Sequence, residues 1–297
     1  MTETGVTETG AAAADLVGAY VATQVEIIAE CQEPVLADAP DAVHRTRVAT
    51  RRLRSALRTF SPLWRARHRG LLDELRWFAG LLGGPRDLEV MEEWLLELSA
   101  TIETDGVEAL QARLKNRVES EREEAFADVH KALGGKRFGR LVRSLTDLTE
   151  RSGWQPVARV RADLLLPGLA AGPTVMVDDL RGSLPEGDDR LDALHELRKK
   201  AKAARYGYEA IGSGGQPLAK TWKRVTEALG AVQDGAVAID LVGELRSDAV
   251  DEGEDPRAYD ALLSAIHEAM AESEVAGLAA VEEALAEGGQ GAAGERD

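Results

Sequence analysis

At 297 residues the chain is long enough for one large domain or two of ordinary size, and with 44% apolar residues it can bury a substantial core. It carries 36 Lys and Arg against 52 Asp and Glu, a formal charge of −16, and a single cysteine, Cys31, which excludes an intrachain disulfide framework and a cysteine zinc site. Aromatic residues are only 4% while Ala and Leu are abundant, which favours helix over sheet.

The opening stretch MTETGVTETG is acidic and polar, unlike a secretory signal. A first helix is expected from Ala12 to Glu33, packing through Leu16, Tyr20, Ile27 and the neighbouring Val and Ala residues. Pro34 to Pro40 reads as a loop, with Pro40 able to sit in the first turn of the next helix. That helix carries HRTRVATRRLRSALRTF, from His44 to Phe60. At about 100° per residue, His44, Arg47, Arg51, Arg54 and Arg58 share an arc of roughly 80°. Ala49, Leu53, Ala56, Leu57 and Phe60 lie opposite. The helix therefore packs one face and presents a rail of cations on the other.

After Ser61-Pro62, a second basic helix is expected from about His68 to Leu82, with Arg69 and Arg76 on it. Gly83-Gly84-Pro85 should stop it, which places Asp87 near the start of a following helix, Asp87 to Thr104, as an N-terminal cap. Asp105-Gly106 breaks the chain again. Helices follow over Val107 to Leu133 and Arg137 to Glu150, and Ser152 to Pro156 marks a boundary between halves.

The second half opens with a helix near Val157 to Leu166, disrupted by Pro167, and a less regular stretch from Gly172 to Asp189. Leu191 to Ile211 holds the second basic helix. His195, Arg198, Lys202 and Arg205 stand 151 residues after His44, Arg47, Arg51 and Arg54, with Leu197, Ala204, Tyr208 and Ile211 on the apolar side. GSGGQP is a loop. Leu218 to Leu229 is a helix bearing Lys220, Lys223 and Arg224. LGAVQDGAV then matches LLGGPRDLEV of the first half, with Leu82, Gly83, Asp87 and Val90 answering to Leu229, Gly230, Asp234 and Val237. Landmarks repeated in the same order point to an internal duplication. Helices over Asp234 to Val250 and Pro256 to about Glu287 complete the chain.

Charge is distributed unevenly. Residues 44–86 sum to +9 and residues 195–224 to +6, which leaves −31 for the remainder. A basic centre in an acidic shell points to a selective anion site on a body that repels nonspecific polyanions. Arg suits phosphate because its planar fork donates two parallel hydrogen bonds and stays charged, while Lys supplies less directional charge. On that reading Arg58 ends the first rail, and Arg69, Arg76, Lys220, Lys223 and Arg224 on neighbouring helices extend the site. His44 and His195 could be phosphate contacts, metal ligands or phosphoacceptors; phosphate contact or a supporting hydrogen bond fits their Arg neighbours best. Trp64, Trp77, Tyr206, Tyr208 and Trp222 could stack bases, or pack the bundle.

These stretches, namely VHRTRVATRRLRSALRTF, LRWFAGLLGGPRDLEV, LHELRKKAKAARYGYEAIG and LGAVQDGAV, resemble the CHAD family, the conserved histidine α-helical domain. The resemblance covers about residues 12 to 288, read as a single domain with halves of about 12–151 and 156–288, flanked by tails at 1–11 and 289–297. It implies an all-α fold of two four-helix-type bundles related by pseudo-twofold internal duplication, with a basic groove or pore between them. It implies non-catalytic binding of inorganic polyphosphate and a place at polyphosphate granules. The family's histidine falls on His44 and His195. Its basic positions fall on Arg47, Arg51, Arg52 and Arg54, and on Arg198, Lys199, Lys202 and Arg205. Its Arg-Asp pair falls on Arg86 and Asp87, replaced in the second half by Gln233 and Asp234, while Ala203 stands where Arg52 does.

The expectation is a cytoplasmic protein without cofactor, metal or membrane contact, whose partner is polyphosphate rather than nucleic acid. A phosphohydrolase or phosphotransferase acting on polyphosphate is one alternative; the chain has no G-x-x-x-x-G-K-(S/T) loop and no H-E-x-x-H. An RNA- or nucleotide-binding protein is the other, since cationic rails alone do not distinguish phosphate polymers. The E-x-E-x-K signature of the triphosphate-processing domain often fused to this family is also absent.

Overall fold

A computed structural model describes residues 10–150 and 153–293. Those residues are all-α, with two isolated β-bridges, Ala12 to Arg161 and Trp64 to Trp154. The helices are α1 (Ala13–Ala29), α2 (Gln32–Leu36), α3 (Ala42–Thr59), α4 (Arg69–Leu81), α5 (Gly83–Ser99), α6 (Val107–Leu133), α7 (Lys136–Glu150), α8 (Ala162–Gly182), α9 (Arg190–Glu209), α10 (Gln216–Asp251) and α11 (Arg257–Ala293). Of the expected tails, residues 1–9 and 294–297 lie outside the described residues, while residues 289–293, expected as loose tail, belong to the last helix.

Two rings of four helices form the main body. In the first half α1 packs on α3, α3 on α4, α4 on α7 and α7 on α1. In the second half α8, α9, α10 and α11 close in the same way. The rings join where α1 meets α8 and α3 meets α9, so one core runs through both, from Val17, Leu53 and Phe78 to Leu166, Leu197 and Trp222. A further four-helix cluster was not anticipated from sequence. There α5 and α6 pack on the later part of α10 and the earlier part of α11, around Leu95, Leu110, Leu114, Leu241 and Leu262.

Several boundaries differ from the expectation. Pro34 lies in the first turn of the short α2, where its missing N–H is not needed. Pro40 precedes α3, which starts after Asp41 in a left-handed conformation at φ 58°. Pro167 and Pro173 lie inside α8, which runs unbroken to Gly182. Pro167 is exposed, so the carbonyl it frees can face water, and burial of Leu166, Ala170 and Val177 holds the helix together.

The second half also keeps α10 continuous through LGAVQDGAV, where a break was expected. Its glycines serve close packing rather than a turn. A Cβ on Gly235 would lie 2.3 Å from Met270 Cγ of α11, and one on Gly230 would lie 2.7 Å from an Arg198 nitrogen of α9. Asp234 is therefore inside a helix and caps nothing. In the first half the chain does break, at Leu82, but Gly83-Gly84-Pro85 is the opening turn of α5 and not a loop.

The apolar side of α3 is buried as its periodicity predicts. Leu53 and Ala56 are fully covered, and Thr46 and Thr50 satisfy their buried hydroxyls by donating 2.8 Å hydrogen bonds to Ala42 O and Thr46 O. Leu53→Ala is expected to lower stability by about 2–5 kcal/mol in a denaturant titration, whereas a change below 1 kcal/mol would contradict the packing described for α3.

Candidate functional site

The two cationic rails meet. With α3 packed against α9, Arg47 and Arg51 face Arg198 and Lys202 across the junction of the bundles. The charges acting on Lys202 are Arg51, Arg198 and Arg47, offset only by Asp234. Burial comes first and those three guanidinium groups next in pushing the Lys202 amine down to about 6. Burial also lowers the Arg47 and Arg198 values, yet guanidinium stays charged at neutral pH.

Each rail holds one arginine over a helix that lacks a side chain at that point. Arg47 lies over Gly83, where a Cβ would sit 3.6 Å from its Nε. Arg198 lies over Gly230, where a Cβ would crowd the guanidinium. The Nε of each is buried with no hydrogen-bond partner. An orphaned, ionised donor is costly to leave unmet. The two arginines act together on Lys202, which makes their junction a candidate site for an anion.

The acidic neighbours are too few to neutralise this cluster. Asp87 accepts from Arg47 Nη2 at 2.9 Å; the arginine is largely buried while the carboxylate is 66% exposed, so a ligand oxygen can replace it. Asp87 is thus an arginine partner and not the helix cap, since α5 has no side-chain cap. Asp234 neighbours Arg198 and Lys202; its carboxyl is pushed up by burial and by Asp87 against the pull of those cations. Arg51 makes no ion pair or hydrogen bond among the described residues.

The remaining expected residues divide into distinct groups. Arg52 and Arg205 are consumed by one carboxylate, Glu209, at 2.8 and 2.9 Å. That triad ties α3 to α9, and the largely buried Glu209 helps burial push the Tyr20 hydroxyl upward. Arg52 and Arg205 therefore act as a clamp between the bundles, a role the rail pattern did not suggest. The sign available in the sequence was Glu209 itself, the acid standing 151 residues after Arg58. Arg86 pairs with Glu89 at 2.6 Å, Lys199 with Glu196 at 2.6 Å, Lys223 with Glu227 at 3.3 Å and Arg224 with Glu283 at 2.7 Å. Arg54, Arg58 and Arg76 gather on α3 and α4, next to Arg51. Lys220 is exposed on α10, and Arg69 sits at the start of α4 beside Ser144 and Asp147 of α7, away from the centre.

The histidines differ. His44 is exposed near the start of α3. His195 donates from Nδ1 to Gln233 Oε1, so the residue that replaces Arg86 in the second half orients a histidine. Among the described residues no group of three or more His, Cys, Asp and Glu is placed to hold a metal. The aromatic candidates for base stacking are largely packed away: Trp222 is fully buried, Trp64 stacks on Trp154 at 3.9 Å, Tyr206 and Tyr208 are buried, and Trp77 lies under Arg137. No described helix is long and apolar enough to cross a membrane.

Comparison with known proteins gives one consistent family. The CHAD domain model matches residues 19–243. Two uncharacterized proteins of Mycobacterium tuberculosis, MT2285 and Rv2226, are each 30% identical over 258 residues, covering 83% of this chain. The chain spans about half of their length, 48% in each case. Among solved structures, PptA from Streptomyces chartreusis superposes with a TM-score of 0.70 at 21% identity, covering 94% of this chain and 99% of that one. The CHAD domain from the plant Ricinus communis superposes with a TM-score of 0.66 at 23% identity, covering 93% and 92%. At such identities these two likenesses speak for the fold.

Lys202 yields a stability prediction. Its depressed value means that the unfolded chain holds a proton the folded chain lacks, from about 6 up to the ordinary lysine range near 10.5. Stability therefore rises with pH across that window, and the residue is a net cost at neutral pH. Lys202→Met is expected to raise Tm at neutral pH and to flatten the climb of Tm between about pH 7 and pH 9; thermal melts showing an unchanged or lower Tm would count against the burial described.

Proposed function

The chain belongs to the CHAD family, and from that premise we propose that it binds inorganic polyphosphate without turning it over, through the cluster formed by Arg47, Arg51, Arg198 and Lys202. The observation that carries this reading is the imbalance at the bundle junction: half-buried basic side chains, two buried guanidinium nitrogens without a partner and only two nearby carboxylates. A linear chain of phosphates supplies closely spaced negative oxygens and no bulky groups, which suits a cluster of arginine forks. The acidic remainder of the protein supports a narrow ligand over broad nucleic-acid contact. So does the packing of Trp64, Tyr206, Tyr208 and Trp222 into the core, where they offer no stacking platform. The role that follows is a module that brings the protein to polyphosphate granules or organises their surface, with other granule proteins as neighbours.

Purified protein titrated with long-chain polyphosphate at several salt concentrations, with RNA as competitor and phosphate release followed, tests the reading. Binding should weaken linearly on a log–log salt plot, resist RNA of equal charge and proceed without phosphate release. Arg51→Ala and Lys202→Ala should each weaken it and make the salt slope shallower. A folded protein that fails to bind at moderate salt, or that releases phosphate, overturns it.

A further inference from the structure

We propose that the bound polyanion leaves the central cluster on one side only, over the face formed by α3 and α4, where Arg54, Arg58 and Arg76 form its track. The inference rests on the reading of the central cluster as a polyphosphate site. What carries it is a difference between the two rails beyond that centre.

On the first rail the cations continue uncovered. Arg54 is flanked by Arg58, Arg76 and Arg51, and burial together with those like charges lowers its value. Neither Arg54 nor Arg58 has an ion pair among the described residues. The acid that acts on Arg54 is Asp73, which reaches Arg76 only at 3.8 Å with both side chains open to solvent, a contact of little energetic weight. From Arg51 to Arg58 the rail runs two helical turns, about 10 Å. Four guanidinium groups so gathered repel one another, and a polyanion laid across them relieves that repulsion.

On the second rail the cations stop. The positions equivalent to Arg54 and Arg58 are Arg205 and Glu209, which bind each other at 2.9 Å. Glu209 also takes the fork of Arg52 at 2.8 Å. On α10, Lys223 and Arg224 pair with Glu227 and Glu283 in solvent-open contacts of little energetic weight, so the Glu209 block is what closes this end. A phosphate chain running that way would meet a carboxylate lodged between two arginines. The internal repeat therefore has one open end and one closed end.

The test compares two triple variants of the full chain, Arg54→Gln with Arg58→Gln and Arg76→Gln, and Lys220→Gln with Lys223→Gln and Arg224→Gln. Each is titrated with tripolyphosphate, which fills the centre alone, and with long-chain polyphosphate. The α3–α4 triple should lose about tenfold or more in affinity for the long chain with a shallower salt slope, and stay within about twofold of wild type for tripolyphosphate. The α10 triple should stay within about twofold for both. Equal losses from the two triples, or loss confined to the α10 triple, overturn the one-sided track while leaving the central site standing. Wild-type protein that binds neither ligand overturns the central site and the track together. Should the α3–α4 triple fold poorly, Arg58→Gln alone, at an exposed position, must still weaken long-chain binding selectively or the track is wrong.

Discussion

Four basic side chains held together with too little negative charge are the constraint around which the molecule is built. Arg47, Arg51, Arg198 and Lys202 come from two helices that neighbour each other only because two four-helix rings pack side by side. Like charges at such a junction push the rings apart, and burial first with those charges next pushes the Lys202 amine down to about 6. The arginines have no such escape, so their charge persists and their buried Nε groups go unmet.

The fold offsets that repulsion next door. Glu209 accepts from Arg52 of one bundle and Arg205 of its own, so an attractive clamp lies one turn beyond the repulsive cluster. The continuous core beneath, from Leu53 through Leu197 to Trp222, holds both helices in register without reference to charge. The glycines do related work. At Gly83 and Gly230 the missing Cβ leaves room for the guanidinium groups of Arg47 and Arg198 against the neighbouring helix.

Much of this was legible in the sequence because helical periodicity is local. The rail of α3 and its buried side follow from residue spacing alone, and the all-α class follows from composition. The ring of four helices per half came from the family resemblance. Convergence of the rails was not legible, since contacts 151 residues apart leave no mark on local pattern. The clamp was missed because Arg52 and Arg205 read as two more cations until Glu209 is placed between them. LGAVQDGAV was misread because glycine commonly ends helices, whereas here Met270 and Arg198 demand it inside one. Pro167 was misread because a helix-breaking preference of a few kcal/mol yields to tertiary packing of the buried face. The cluster of α5 and α6 with the ends of α10 and α11 joins segments from both halves, so expectations framed half by half could not reveal it.

The most direct measurement is proton uptake on binding. Tripolyphosphate is titrated calorimetrically into wild type and into Lys202→Met at slightly alkaline pH, each in two buffers of different ionisation enthalpy. An anion seated among Arg47, Arg51, Arg198 and Lys202 should restore the Lys202 proton, so wild type should take up about one more proton per ligand than the variant. Equal uptake by the two proteins would mean that the ligand sits elsewhere, and that the uncompensated cluster at the bundle junction is not the binding site.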